Sequence, residues 1–233
     1  MIKAMSFNTQ HCLNFITKRI DFDIMAKTIK DLDPDIVGLN EMRGLGPDKD
    51  FDAQTEILST LTGMKHYYFG KAIDVEGCGP YGNGFLSKIP VVKAETVMIP
   101  DPKEKKFGGH YETRCIIKAA LENGLTVLVT HMGLNPDESE LAVRTVMENI
   151  KDEKCILMGD FNLTPASPIL APIKGAMTDT ASAFDGERLS FPSDKPTEKI
   201  DYIFVSKDIK VLSADIPDIV ASDHRPYVAE MVI

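Results

Sequence analysis

No stretch of this 233-residue chain is apolar for long enough to span a membrane, and its start, Met1-Ile2-Lys3-Ala4-Met5-Ser6-Phe7-Asn8, lacks the apolar centre of a secretory signal. A cytoplasmic protein is expected. Cysteine is scarce, and Cys12, Cys78, Cys115 and Cys155 have neither the paired spacing of a zinc site nor the density of a disulfide scaffold. They read as reduced thiols, several of them buried. With only 16 Gly and 14 Pro, and with no linker, short repeat or low-complexity segment, residues 1–233 read as a single globular domain. Positive charge is short as well. The 26 Lys and Arg against 35 Asp and Glu leave a formal charge of −9, whereas nucleic-acid binding draws its main affinity from basic side chains that displace counterions. The densest basic run, Lys103-Glu104-Lys105-Lys106-Phe107, is interrupted by Glu and flanked by Pro102 and Gly108-Gly109, as a solvated loop would be. A monomer acting on a small partner is expected, with nucleic acid disfavoured by charge.

What is present is a coarse duplication. Residues 2–9 read as a strand, 21–32 as a helix with Ile24, Met25, Thr28, Ile29 and Leu32 at helical spacing, and 35–41 as a second strand after Pro34. A strand over 125–130, a helix over 136–150 with Leu141, Val146 and Ile150 inward, and a strand from Cys155 to Met158 repeat the pattern. Each unit has the length of a strand-helix-strand crossover, so its two strands are parallel and end on one edge. The segments 83–88, 91–98, 113–122, 200–206, 209–215 and 226–232 read as antiparallel strands. Two mixed β-sheets follow. Stacked face to face with helices outside, they give an α/β fold, a four-layer α/β/β/α sandwich. An open flavodoxin-like sheet would need more helices than the pattern supplies.

Polar residues gather at the strand ends. Asn8, Glu41, His131, Asp160 and Asn162 lie there, with Asp201 inside the apolar run Lys199-Ile200-Asp201-Tyr202-Ile203 and the pair Asp223-His224 farther on. Carboxylates and Asn are hard oxygen donors that suit Mg2+ or Mn2+, and histidine moves protons near neutral pH. A carboxylate buried at Asp201 needs a partner, and His224 is the candidate.

The series Asn8, Leu39-Asn40-Glu41, Tyr81-Gly82-Asn83-Gly84-Phe85-Leu86-Ser87, Arg114, Thr130-His131, Gly159-Asp160-Phe161-Asn162, Ile200-Asp201-Tyr202-Ile203 and Ser222-Asp223-His224-Arg225-Pro226 resembles, in order, the motifs of the endonuclease/exonuclease/phosphatase superfamily. The resemblance is greatest to its small bacterial metal-dependent hydrolases, and it implies the deoxyribonuclease I-like sandwich. It also implies roles. Glu41, Asn8 and Asp223 would hold the divalent ion; Asp160 would orient or deprotonate water; Asn162 would bond a phosphate oxygen. His224, held by Asp201, would meet the developing charge, and His131 would assist the leaving oxygen. Asn83 would position His131, while Tyr81 and Arg114 would contact substrate. Asn40 stands where the family usually has Gln, and the inserted basic loops of the DNA-cutting branches are missing. The implied activity is Mg2+- or Mn2+-dependent hydrolysis of a phosphodiester or phosphomonoester of a small or lipid-derived substrate. A DNA or RNA nuclease and a non-catalytic phosphate-binding relative are the alternatives. Segments 42–52, 71–81, 99–110 and 171–198 are expected to border the cleft as loops.

Overall fold

A computed structural model describes residues 1–233. In chain order the elements are β1 (Ile2–Asn8), α1 (Phe22–Leu32), β2 (Ile36–Arg43), α2 (Gln54–Thr62), β3 (His66–Val75), β4 (Gly79–Ser87), β5 (Val91–Met98), β6 (Cys115–Leu121) and β7 (Thr126–His131). They continue with α3 (Pro136–Asn149), β8 (Cys155–Asp160), α4 (Ala171–Ala176), β9 (Thr178–Asp179), β10 (Asp201–Val205), β11 (Lys210–Asp215) and β12 (Tyr227–Val232). No helix is long and apolar enough to cross a membrane.

Two six-stranded mixed sheets result, in the orders β11-β12-β1-β2-β4-β3 and β5-β6-β7-β8-β10-β9. Only β1 with β2 and β7 with β8 run parallel, each pair joined through a helix as the two crossovers require. An apolar cluster that includes Ala4, Ile36, Phe85, Ile117, Val129, Met158, Ile203 and Tyr227 lies between the sheets. A second cluster seats α1 and α2 on the first sheet through Met25, Ile29 and Leu58, and a third seats α3 and α4 on the other through Val143, Val146 and Ile173. Four layers are the outcome. Leu141 and Ile150 are only partly buried, and Ala142, Val143 and Val146 form the inward face of α3.

Local chemistry fixes where the crossover helices begin. The Asp21 carboxylate accepts the Ile24 N–H at 3.1 Å, and Asp33 closes α1 in a left-handed conformation before Pro34. At α3, Asn135 and Glu138 form a reciprocal capping box, with Pro136 opening the helix. α2 and β3 were not expected from the sequence, and the β3–β4 hairpin takes residues 71–75 and 79–81 out of the expected loop.

Gly159 ties the fold to the polar edge. Its φ is +145°, and a Cβ there would lie 1.8 Å from the carbonyl oxygen of Thr130 on the neighbouring strand. Gly159→Ala is expected to cost about 3 kcal/mol, read as a fall in melting midpoint of roughly 10 °C.

Candidate active site

Each central strand carries an apolar face into the sandwich, and that face turns polar at one common edge. On β1 it runs Ile2, Ala4 and then Asn8; on β7, Val127, Val129 and then His131; on β8, Ile156, Met158 and then Asp160. β10 runs antiparallel to β8, so its first residue, Asp201, pairs with Asp160 before Ile203 and Val205 enter the core. Glu41 arrives differently. In a regular strand it would share the helix-facing side with Leu39, but the register against β4 slips between Leu39 and Met42, and both of these pack beneath the helices. Glu41 adopts φ +60° within that bulge, and its Oε1 accepts a hydrogen bond from Asn8 Nδ2 at 3.0 Å. The bulge therefore delivers Glu41 to the same polar edge.

A buried network joins these groups. Asp160 Oδ2 accepts from Asn8 Nδ2 at 3.0 Å and lies 3.5 Å from His131 Nε2 and 3.6 Å from His224 Nε2. His224 Nδ1 donates to Asp201 Oδ2 at 2.8 Å. Burial opposes protonation of His224, yet the Asp201 and Asp160 carboxylates outweigh it and push the imidazole up to about 10. It is an imidazolium at neutral pH. Burial raises the Asp160 carboxyl well above the usual carboxylate range, an effect the imidazolium reduces. Burial and the cations Arg114 and His224 hold His131 well below its ordinary value, so it is neutral. Arg114 Nη1 meets His131 Nδ1 at 2.9 Å and Asn162 Nδ2 meets Nε2 at 3.2 Å, both of them donors, while Nε2 also lies 3.5 Å from Asp160 Oδ2. The Tyr81 phenol is kept protonated by burial and by the nearby Glu41 carboxylate.

Several assignments implied by the resemblance take a different form. Asn83 does not reach His131: its Oδ1 accepts from Asn40 Nδ2 at 2.9 Å, and its Nδ2 donates to Cys115 O at 3.0 Å. Arg114 holds His131 instead, and is itself paired with Glu112 at 2.7 Å. Asn8 Oδ1 accepts the Gln10 N–H at 3.0 Å, so the amide turns its nitrogen, not its oxygen, toward Glu41 and Asp160. It orients carboxylates. Asn162, at φ +52°, donates to Met132 O at 3.0 Å beside His131. Glu112 was missed in the sequence, and so was the contact that Phe191 makes with His224. The Phe191 ring packs 4.8 Å from that of His224, and the backbone around it is tied down by Ser193 N to Asp223 O and Arg225 N to Ser190 O.

The charges suit a cation. The carboxyls of Glu41, Asp160, Asp201 and Asp223 converge with the cations His224 and Arg114, with Lys199 on the far side of Asp201, and Glu41 is raised by burial and by the Asp223 carboxylate. Such an excess of buried negative charge is costly unless a cation compensates it. Asp160, Asp201 and His224 bring ligand atoms within 4.8 Å of one another, a buried group that could hold a metal ion. His224 Nδ1 is already bonded to Asp201, while Glu41 and Asp223 offer carboxylate oxygens from half-buried positions. Asp201 Oδ1 is buried without a hydrogen-bond partner. An oxygen-rich donor set of this kind fits a hard divalent ion.

Two stacked sheets thus present one acid-rich, histidine-bearing edge. Residues 5–224 match the Endonuclease/Exonuclease/phosphatase family, and the chain belongs to it. A search of curated proteins found no match. Among solved structures, the chain is similar to an endonuclease/exonuclease/phosphatase from Beutenbergia cavernae, at 22% identity and TM-score 0.80, over 99% of this chain and 71% of that one. Another from Bacteroides vulgatus is 22% identical with TM-score 0.78, over 100% and 98% of the two chains. The Bacteroides thetaiotaomicron mannosyl-6-phosphatase Bt3783 is 19% identical with TM-score 0.79, over 100% of both. At these identities the likeness is one of fold.

Proposed function

We propose that the protein is a divalent-metal-dependent phosphoesterase that hydrolyses a phosphomonoester or phosphodiester of a small or lipid-derived molecule. The observation that carries this reading is the line Asp201–His224–Asp160, an imidazolium set between two carboxylates and opposite Glu41. Asp160, raised toward neutrality by burial, is suited to take a proton from the attacking water. The His224 imidazolium, held by Asp201, is a preorganised cation for the charge that grows on the phosphoryl oxygens. His131, held at Nδ1 by Arg114, turns Nε2 toward the site as the hydrogen-bonding group for the leaving oxygen. The Tyr81 phenol beside Glu41 is a further donor for the substrate. Mg2+ or Mn2+, held by Glu41 and Asp223 while Asn8 orients Glu41, would polarise a phosphoryl oxygen. The chain's charge of −9 favours a compact ester over a nucleic-acid backbone, and a cytoplasmic monomer goes with this reading.

An activity panel tests it: p-nitrophenyl phosphate, bis(p-nitrophenyl) phosphate, mannose 6-phosphate, a phospholipid, plasmid DNA and RNA, each with Mg2+, with Mn2+ and with a chelator. Ion-dependent hydrolysis of a small or lipid ester, lost in chelator, is expected. Cleavage confined to DNA or RNA would replace the substrate class. Turnover of nothing by a protein that still binds metal would make it a phosphate-binding relative.

A further inference from the structure

We infer that Asn40 and Asn83 form a positioning clamp that fixes the two halves of the active site against each other. The catalytic consequence rests on the phosphoesterase reading; the clamp itself rests on geometry. Asn40 is fully buried on β2, and its Oδ1 accepts the Asp160 N–H from β8, in the opposite sheet, at 2.9 Å. Its Nδ2 donates to Thr130 O on β7 and to Asn83 Oδ1 on β4, both at 2.9 Å. Asn83, 2% exposed, passes the connection to β6 through Cys115 O at 3.0 Å. Two side chains thus join β2 and β4 of one sheet to β6, β7 and β8 of the other.

The positions of these bonds matter as much as their number. Asn40 directly precedes Glu41, Thr130 directly precedes His131, and Asp160 donates its own backbone N–H to the clamp. Each contact lands on an active-site residue or on its neighbour. Below this layer the space between the sheets is filled by apolar side chains around Val129, Met158 and Ile117, with polar bridges elsewhere at Tyr68 Oη–Thr96 Oγ1, 3.0 Å, and Thr180 Oγ1–Tyr227 Oη, 2.6 Å. Apolar packing is non-directional and resists sliding weakly, whereas hydrogen bonds fix distance and angle. Glu41 depends most on this, because it sits in a bulge with a strained backbone that nothing periodic holds in register. Buried amides also satisfy one another, so a role in stability alone is the competing explanation.

The test compares Asn40→Ala, Asn83→Ala and a control, Leu121→Ala, which opens the same inter-sheet core at the edge opposite the site. All are assayed well below their melting midpoints with bis(p-nitrophenyl) phosphate and p-nitrophenyl phosphate. Amide exchange at Asp160 and Mn2+ affinity are measured alongside. For Asn40→Ala the clamp requires lost protection of the Asp160 amide, weaker Mn2+ binding and a kcat lower by about thirtyfold or more, since a displacement near 1 Å costs roughly a hundredfold. Asn83→Ala, which keeps the Asn40 bonds to Asp160 and Thr130, should show the same changes at smaller size. The Leu121→Ala control should lose melting temperature yet keep kcat within about threefold. Equal kcat and Mn2+ affinity in Asn40→Ala and the control would overturn the clamp. Should Asn40→Ala not fold, Asn83→Ala against the same control decides. If the wild type hydrolyses none of the small or lipid esters of the activity panel, the functional reading fails separately, and amide exchange with Mn2+ affinity still judges the clamp.

Discussion

Asp160→Asn is expected to lower kcat/KM by about a thousandfold, the loss typical of removing a positioned base, while the protein remains folded. The two parts of this expectation have one cause. Asp160 is buried beneath two imidazoles and Asn8, and burial penalises its charged form. Holding the anion there destabilises the native state, so replacing it with a neutral amide of the same shape relieves that penalty. Against the relief stands a donor conflict. Oδ1 accepts the Asn162 N–H at 2.9 Å and Oδ2 accepts Asn8 Nδ2, so an amide at residue 160 must turn its own NH2 toward one of these donors. The opposing effects are of similar size, and the melting midpoint should move by only a few degrees, about the consequence of 1 kcal/mol. Catalysis has no such offset, because an amide cannot accept a proton from water. Steady-state kinetics alongside thermal melts checks both halves. A folded variant with near-wild-type turnover would remove Asp160 from the chemistry.

What the sequence disclosed and what it hid divide along one physical line. Periodic patterns were legible: β1-α1-β2 and β7-α3-β8 each alternate strand and helix repeats with clear caps, and their parity places Asn8, His131 and Asp160 on one edge. α2 escaped because Gln54, Thr55 and Ser59 make up much of its buried face and Ala53 supplies no capping side chain, so neither periodicity nor a start signal was visible. β3 pairs only with β4, and its mixed exposure from His66 to Val75 blurred the alternation. The bulge at Glu41 was hidden for a different reason. A break in register depends on the partner strand, and here that partner is β4. Side-chain partners shared this difficulty. Asp201 with His224 could be inferred because a buried carboxylate needs a counterpart, whereas Arg114, which lies on the segment entering β6, could as well have met substrate as His131. Asn40 and Asn83 stood out only through the family motifs, and nothing in the chain told that they cross between the sheets.

Asp201→Asn is expected to cost about a hundredfold at neutral pH and, more tellingly, to move the alkaline limb of the rate profile downward. In the wild type, burial disfavours the His224 imidazolium, and the Asp201 and Asp160 carboxylates more than reverse this, so the ring stays protonated until pH approaches about 10. An amide oxygen at residue 201 can still accept the Nδ1–H, which preserves ring orientation, and its nitrogen can occupy the place of Oδ1, which has no partner. The negative charge is what disappears. His224 then loses its proton at lower pH, and activity that needs the imidazolium falls as pH rises through that new, lower value. Acidification should restore part of the rate until Asp160 itself takes up a proton. Stability follows the same sign. A histidine whose folded value is raised from 6.5 to about 10 contributes its full stabilisation below 6.5 and loses it as pH climbs through 10. The difference in stability between wild type and Asp201→Asn should therefore narrow steadily across that interval. Profiles of kcat/KM and of denaturant midpoint against pH measure the two effects independently. An unshifted alkaline limb would mean that His224 acts through hydrogen-bond geometry and not through its charge.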